Sequence, residues 1–422
     1  MVNIAKADPK KRGIDHTWDF RGVDTKPHTH GFHTYPAMMI PQIADRLIDT
    51  YGKSAKYVFD PFVGSGTVLV ESKLRKNVRT AIGVDLNPLA LLISKVKTTP
   101  IKPSILLKIH SEILEKCSKD IQFPNKISVP NFNNIDFWFK PDVKIALATL
   151  KKQISRIKDE EIRNFFLVVF SETVRKVSNT RSGEFKLYRI AEEKLKNYKP
   201  NVLETFRKKS IENIEAMNSF YQKASSCDVQ VMGTDSRDLK EIPDEEIDLI
   251  VTSPPYGDSR TTVAYGQFSR LALQWLGFDD ELVRQMDKES LGGRPTSNLE
   301  HDLGSATLIE TLERIRSKDE LRARDVLSFY VDFNDCVTEI DRISKHGAFL
   351  CFVVGNRTVK EINIPTDLII AELFQKMGYI HHQTIVRSIP SKRMPKKNSP
   401  TNERGKLVTT MNEEYIVILQ KK

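Results

Sequence analysis

No stretch of this 422-residue sequence stays apolar for the roughly 20 residues that a bilayer-crossing helix demands. The opening residues, MVNIAKADPKKRG, hold no apolar core of the kind a secretory signal carries. Cysteine is scarce as well. Cys117, Cys227, Cys336 and Cys351 are scattered, and no C-x-x-C pair occurs. That pattern argues against a zinc ribbon or a disulfide framework and fits the reducing cytoplasm. Internal repeats and low-complexity tracts are missing too. Acidic residues fall short of basic ones, and the formal net charge is +10. An excess of that sign favours a polyanionic partner, nucleic acid foremost.

What is present is an alternation of short β-rich runs with helical stretches, the pattern of an α/β fold with a mainly parallel sheet. Strands are expected at 56–62, 80–85, 229–235, 247–256 and 348–356, with 381–389 and 413–421 as a closing antiparallel pair. The gap between the second and third strands is too long for one crossover. Val143, Leu147, Leu150, Ile154 and Ile157 recur there at helical spacing. Ile162, Phe165, Phe166, Val169 and Phe170 repeat the stripe, and Val202, Phe206 and Met217 mark a further helix. The expected organisation is 1–100 as a ligand-binding half, 101–228 as a helical insertion, and 229–422 as the second half of the sheet domain. Nearly every parallel strand ends in a polar or glycine-rich cluster, and ligands bind at that edge of open α/β sheets.

The first such cluster reads FDPFVGSGTVLVES. A strand runs out at Asp60, Gly64 and Gly66 follow, and an apolar helix opens near Thr67. Glycine permits positive φ and lets a ligand approach the main chain, while the helix start offers unpaired N–H groups. A Walker loop is ruled out because G-x-x-x-x-G-K-[ST] is absent, and Leu69 stands where G-x-G-x-x-G needs its third glycine. The next strand ends in GVDLNPLA, with Asp85 placed to accept from two ribose hydroxyls. The third ends in GTDSRDL, where Asp235 is placed to accept from an adenine amine. Ordinary strand-to-helix turns capped by Asp account for each alone. The ordered trio suits an adenosine-bearing ligand without a pyrophosphate.

DPFVGSGT resembles the cofactor loop of S-adenosylmethionine-dependent amino-methyltransferases acting on DNA. The resemblance implies a Rossmann-like methyltransferase sheet and S-adenosylmethionine as cofactor, its methionine end near this loop and its ribose on Asp85. Upstream, GFHTYPAMMIPQIADRLI is similar to the family's N-terminal helix motif, which closes over the methionine moiety, with Pro36 in that helix's first turn. Cofactor contacts are thereby implied for Tyr35, Pro36, Asp60, Phe62, Gly64, Gly66, Thr67, Asp85, Asn87 and Asp235.

The second chemical motif is VTSPPYGDSR. Proline fixes φ near −65° and drives the residue before it into an extended conformation. Ser253, Pro254 and Pro255 are therefore stiff, with carbonyls projecting in set directions, and Tyr256 follows. An exocyclic amine on a nucleobase is a poor nucleophile because its lone pair is delocalised into the ring. Acceptors such as the Ser253 hydroxyl and the Pro254 carbonyl would draw the nitrogen towards sp³ and aim it at the methyl. Tyr256 would stack on a base flipped out of the duplex. In the family, S-P-P-Y is most typical of cytosine N4 methylation, and D-P-P-Y or N-P-P-Y of adenine N6. Carbon-5 methylation uses a cysteine that usually follows proline, and no cysteine here does.

Duplex DNA is the expected partner, with a separately acting restriction endonuclease as a further one. Arg181 and Lys186 lie in VSNTRSGEFKLYR, where basic residues interleave with Phe185 and Tyr188. Lys392, Arg393, Lys396 and Lys397 concentrate charge in the loop joining the closing strands, and Arg260 follows the catalytic motif. The stretch 257–270 reads as a lid or groove wall, and base-reading side chains are expected on loops such as 290–298. His28, His30 and His33 form H-x-H-x-x-H, but no carboxylate or cysteine has convincing spacing, and amine methylation requires no metal. Two rival readings stay open. Guanine-N2 methyltransferases of RNA pair a similar loop with D-P-P-Y, and a binding protein could keep the fold without catalysis.

Overall fold

The computed structural model describes residues 6–123, 127–181, 183–257, 263, 265–297, 299, 301–390, 397–398, 408–409 and 412–422. Its centre is a sheet of eight strands: β1 (Arg12–Ile14), β2 (Tyr57–Asp60), β3 (Thr80–Val84), β4 (Asp228–Met232), β5 (Ile247–Thr252), β6 (Ser344–Val354), β7 (Ile380–Ser388) and β8 (Glu413–Gln420). Their spatial order is β1-β7-β8-β6-β5-β2-β3-β4. The run from β6 to β4 is parallel, and β8 lies antiparallel between β6 and β7. Strands β2, β3 and β5 are almost wholly buried, as parallel strands covered on both faces must be.

The chain runs outward from β2 to β3 and β4, then returns to place β5 on the other side of β2. This reversal opens a crevice at the carboxyl ends of β2 and β5, the general ligand site of such sheets. Three strands stop two to four residues sooner than their apolar runs suggest, for β2, β4 and β5. β2 ends on an aspartate, and one follows β3 directly and β4 three residues on. Asp60, Asp85 and Asp235 each accept the main-chain N–H two residues on, at 3.1, 2.8 and 2.9 Å. A carboxylate that bonds its own backbone in this way turns the chain out of the strand.

Between β3 and β4 the chain is helical, chiefly Pro103–Asp120, Pro141–Ile154, Glu160–Val177 and Val202–Tyr221. Asp159 caps the third of these, with Glu160 and Glu161 in its first turn and Arg175 and Lys176 in its last, charges that complement the helix dipole. The helices are not a detached lobe. A single apolar core runs from Phe32 and Leu89 through Phe170 and Phe206 to Trp275, on the helix Tyr265–Leu276 that follows the catalytic motif. Among the described residues, no helix is long and apolar enough to cross a membrane.

Strand β1 has no counterpart in the hydrophobic pattern, because only three residues pair with β7 and two of them face solvent. It is held by charge. The Arg12 guanidinium forms a two-pronged contact with Asp367 at 2.7 and 2.8 Å, and that carboxylate is fully buried. Arg12→Ala leaves the buried carboxylate without its cation, so the expected loss of unfolding free energy is about 3–5 kcal/mol. Urea titration of the two proteins measures it.

Candidate active site

The site is built where β2 and β5 part. Thr252 ends β5 fully buried, and its hydroxyl donates to Asp60 Oδ1 at 2.6 Å. Asp60 is itself buried, and burial lifts its carboxyl to about 7 against the pull of the Thr252 and Phe62 hydrogen bonds. One carboxyl thus fastens the start of the glycine loop to the start of the S-P-P-Y loop.

The glycine loop is held from below. Gly64 and Gly66 have φ of +48° and +78°, a region other residues rarely enter. A Cβ on Gly66 would come within 3.0 Å of Ser94, so this glycine lets the loop pack on the helix Pro88–Thr98. Ser94 Oγ donates to the Gly64 carbonyl at 2.8 Å, and Lys97 Nζ to the Ser65 carbonyl at 2.6 Å. Lys97 is buried, and desolvation lowers it to about 7. On the other side, Gly64 N–H donates to Asp85 Oδ2 at 3.0 Å. Asn87 caps the helix through Leu89 N–H, and its amide donates to the Tyr35 hydroxyl at 3.1 Å and to Ser269 Oγ at 2.7 Å. Burial raises the half-buried Asp85 to about 6.

These elements enclose a cleft with about 1130 Å³ of empty space, its open mouth included. Of the residues implied for the cofactor, Tyr35, Pro36, Asp60, Phe62, Gly64, Thr67, Asp85, Asn87 and Asp235 line it; Gly66 faces Ser94 instead. Ser253 and Pro255 line the same cleft. The helix motif needs a correction. The helix begins at Pro41 rather than Pro36, because Ala37 has φ +51° and Pro41 supplies the favoured first position. Pro36 sits in a turn on the cleft wall. Asp235 faces the cleft with both oxygens engaged by Arg237, at 3.0 and 2.6 Å. Arg237 also bonds Asp332 at 3.2 Å and the Glu289 carbonyl at 2.8 Å, drawing the 289–291 wall over this end.

Several wall residues were not legible as such. Met38, Met39, Leu86, Tyr265, Met286 and Leu291 line the cleft. Tyr265, whose ring stacks 5.9 Å from that of Tyr35, lies within the stretch expected to be a lid or groove wall. The set fits an adenosyl sulfonium. It offers a carboxylate for ribose hydroxyls, apolar surface for an adenine and glycine main chain for close approach, without the Lys and N–H array a pyrophosphate needs.

In the second loop Ser253, Pro255 and Tyr256 are half-buried and Pro254 is buried. The Tyr256 hydroxyl donates to Glu414 at 3.3 Å. The turn closes at Gly257, with φ +136°. A Cβ there would meet the Arg357 guanidinium at 2.4 Å.

Of the residues expected to contact DNA, Arg181 is exposed and Lys186 half-buried. Their neighbours are committed to the fold: Phe185 packs on Phe268, and Arg175 lies 4.0 Å over the same ring. Arg260, Lys392, Arg393 and Lys396 lie outside the described residues, and Lys397 is described only as part of the short strand Lys397–Asn398. The three histidines diverge, His28 to Ser219, His30 to Glu71 and His33 to Thr34 and Glu172. Among the described residues, no three His, Cys, Asp or Glu side chains are grouped to hold a metal ion.

Thr252→Val keeps the shape of the β5 terminus and removes a donor from a buried carboxyl. The expected cost is about 1–3 kcal/mol of unfolding free energy, read by denaturant titration.

Comparison with known proteins agrees with this geometry. Residues 2–96 match the N6/N4 family model described as DNA methylase. The chain is 44% identical to type II methyltransferase M.MvaI of Kocuria varians, over 95% of this chain and 93% of that protein. Type II methyltransferase M.BsoBI of Geobacillus stearothermophilus is 21% identical over 83% of this chain and 78% of its own. M.MjaII of Methanocaldococcus jannaschii is 30% identical over 25% of this chain and 21% of its own. The chain therefore belongs to the type II restriction–modification DNA amino-methyltransferases.

Proposed function

We propose that this site-specific DNA methyltransferase modifies the N4 amine of a cytosine flipped from duplex DNA. The observation that carries this reading is that Ser253 and Pro255 share one cleft with Gly64 and Asp85. S-adenosylmethionine, the donor its family implies, supplies when bound a sulfonium methyl with a neutral leaving group. The protein's part is placement. Asp85 accepts from ribose hydroxyls, and Asp235 with Arg237 borders the adenine end. Ser253 Oγ and the Pro254 carbonyl accept the two N–H bonds of the target amine. They turn its lone pair towards the methyl, and no protein nucleophile takes part. Tyr256 covers the base, which offsets part of the few kcal/mol that flipping costs.

Serine at the first position of the motif, most typical of cytosine N4 enzymes in the family, favours cytosine N4 over adenine N6. Arg181 and Lys186, with Arg260, Lys392, Arg393, Lys396 and Lys397, grip phosphates beside the target. The enzyme acts in the cytoplasm, alongside an independent endonuclease that reads the same sequence.

Two measurements test the proposal. Unmethylated genomic DNA and total RNA, incubated with protein and labelled S-adenosylmethionine, are digested to nucleosides and resolved by mass spectrometry. N4-methylcytosine from DNA is expected. N6-methyladenine overturns the base assignment, and label confined to RNA overturns the substrate. The second measurement is calorimetric affinity for S-adenosylmethionine between pH 5 and 8. Because burial raises Asp85 to about 6, the carboxyl takes up a proton as pH falls through that value and ceases to be a full acceptor. Affinity should therefore weaken towards low pH. Asp85→Asn should bind roughly 10-fold or more weakly and flatten that dependence.

A further inference from the structure

Tyr256 is tied to a part of the molecule that no motif marks. Its hydroxyl donates to Glu414 Oε1 at 3.3 Å, and the other oxygen of that carboxylate contacts Arg387 Nη1. Arg387 on β7 and Glu414 on β8 are directly opposed in the antiparallel register. The guanidinium is 3% exposed and its other nitrogens are occupied. Nε donates to the Trp18 carbonyl at 2.7 Å and Nη2 to the Asp19 carbonyl at 3.2 Å. Asp19 returns the contact, accepting Ser388 N–H at 2.8 Å. Trp18 is buried, with the Arg46 guanidinium 4.2 Å over its ring. A continuous chain of polar contacts thus runs from the N-terminal segment, through the closing strand pair, to the far end of the catalytic-loop ring.

The physical effect follows from the torsions. Two prolines stiffen the main chain up to Pro255, but they do not set the side-chain angles of Tyr256, whose ring plane is the softest part of the loop. A bond at the phenol oxygen is the longest lever on the swing of that ring about χ1. The acceptor is itself immobile, because a buried guanidinium with every nitrogen engaged cannot turn without leaving its charge unpaired.

We propose that Glu414 and Arg387 are positioning residues for methyl transfer, fixing the Tyr256 ring. The inference rests on the role given above to the S-P-P-Y loop. It predicts a loss in the rate of transfer with cofactor binding intact, since neither residue borders the cleft.

The test uses the full-length protein with Tyr256→Phe, Glu414→Ala, both together, and Tyr256→Ala. Single-turnover transfer to duplex DNA is measured at saturating cofactor, with S-adenosylmethionine affinity measured alongside. Tyr256→Phe and Glu414→Ala should each slow transfer about tenfold, affinity staying within about twofold, and the double variant should be no slower than the slower single one. Rate losses that multiply would mean that Glu414 acts apart from Tyr256, which overturns the inference and leaves the loop's role standing. A wild-type rate for Tyr256→Phe beside a crippled Tyr256→Ala would likewise show that the ring matters and its tether does not. If Tyr256→Ala also transfers at the wild-type rate, the reading of the loop fails and the inference falls with it. Tyr256→Phe leaves the Arg387–Glu414 pair intact, so it decides the matter even where Glu414→Ala does not fold.

Discussion

The hydrogen bond from Thr252 to Asp60 is the constraint on which the site depends. It joins the ends of two parallel strands where the chain, having run outward to β4, returns to the other side of β2. Each strand delivers a loop with a different task. Without a fixed spacing between them, a donor held by one loop and an acceptor held by the other would have no common geometry. The carboxyl is buried, which makes the bond unforgiving, because neither partner has water to turn to.

A second layer of buried polar groups does for the glycine loop what the prolines do for the catalytic one. Lys97 and Ser94 hold successive carbonyls of the loop from beneath, while Asp85 holds an N–H from the side. Near Lys97 sits Glu71, bonded to His30 at 2.8 Å and raised by burial to about 7. Burying a lysine, a glutamate and a histidine together is costly. What it secures is a loop that needs no rearrangement when a ligand arrives, the condition under which electrostatic preorganisation is most effective.

Much of this was legible in the sequence, for identifiable reasons. The three aspartates, the paired glycines and the double proline are local signals, each readable within a few residues of itself. The helical segment declared itself by its stripe of Leu, Ile and Phe, and β7 and β8 by their apolar runs. The features that escaped depend on partners remote in sequence. Three residues of β1 form a strand only because β7 and Asp367 wait for them. Nothing local in GTDSRDL marks Arg237, whose partners Asp332 and Glu289 lie far along the chain. Phe185 stood in a stretch with the composition of a nucleic-acid contact, yet it packs on Phe268. The Pro36 assignment failed through a competing local signal, since a second proline five residues on is the better helix start.

The sheet order also has a consequence in time. Asp60 and Thr252 are 192 residues apart, and the strands beyond β5 come later still. At about 5–20 residues per second, a ribosome spends roughly 10–40 s between making one partner and the other. Throughout that interval β2 has a neighbour on only one side, and its open edge can pair with any strand it meets. Tyr256 then waits in its turn for Glu414, 158 residues further on. The proposed catalytic centre is therefore complete only once β8 has been made, and a polypeptide released before then has the glycine loop without the partner strand of Tyr256.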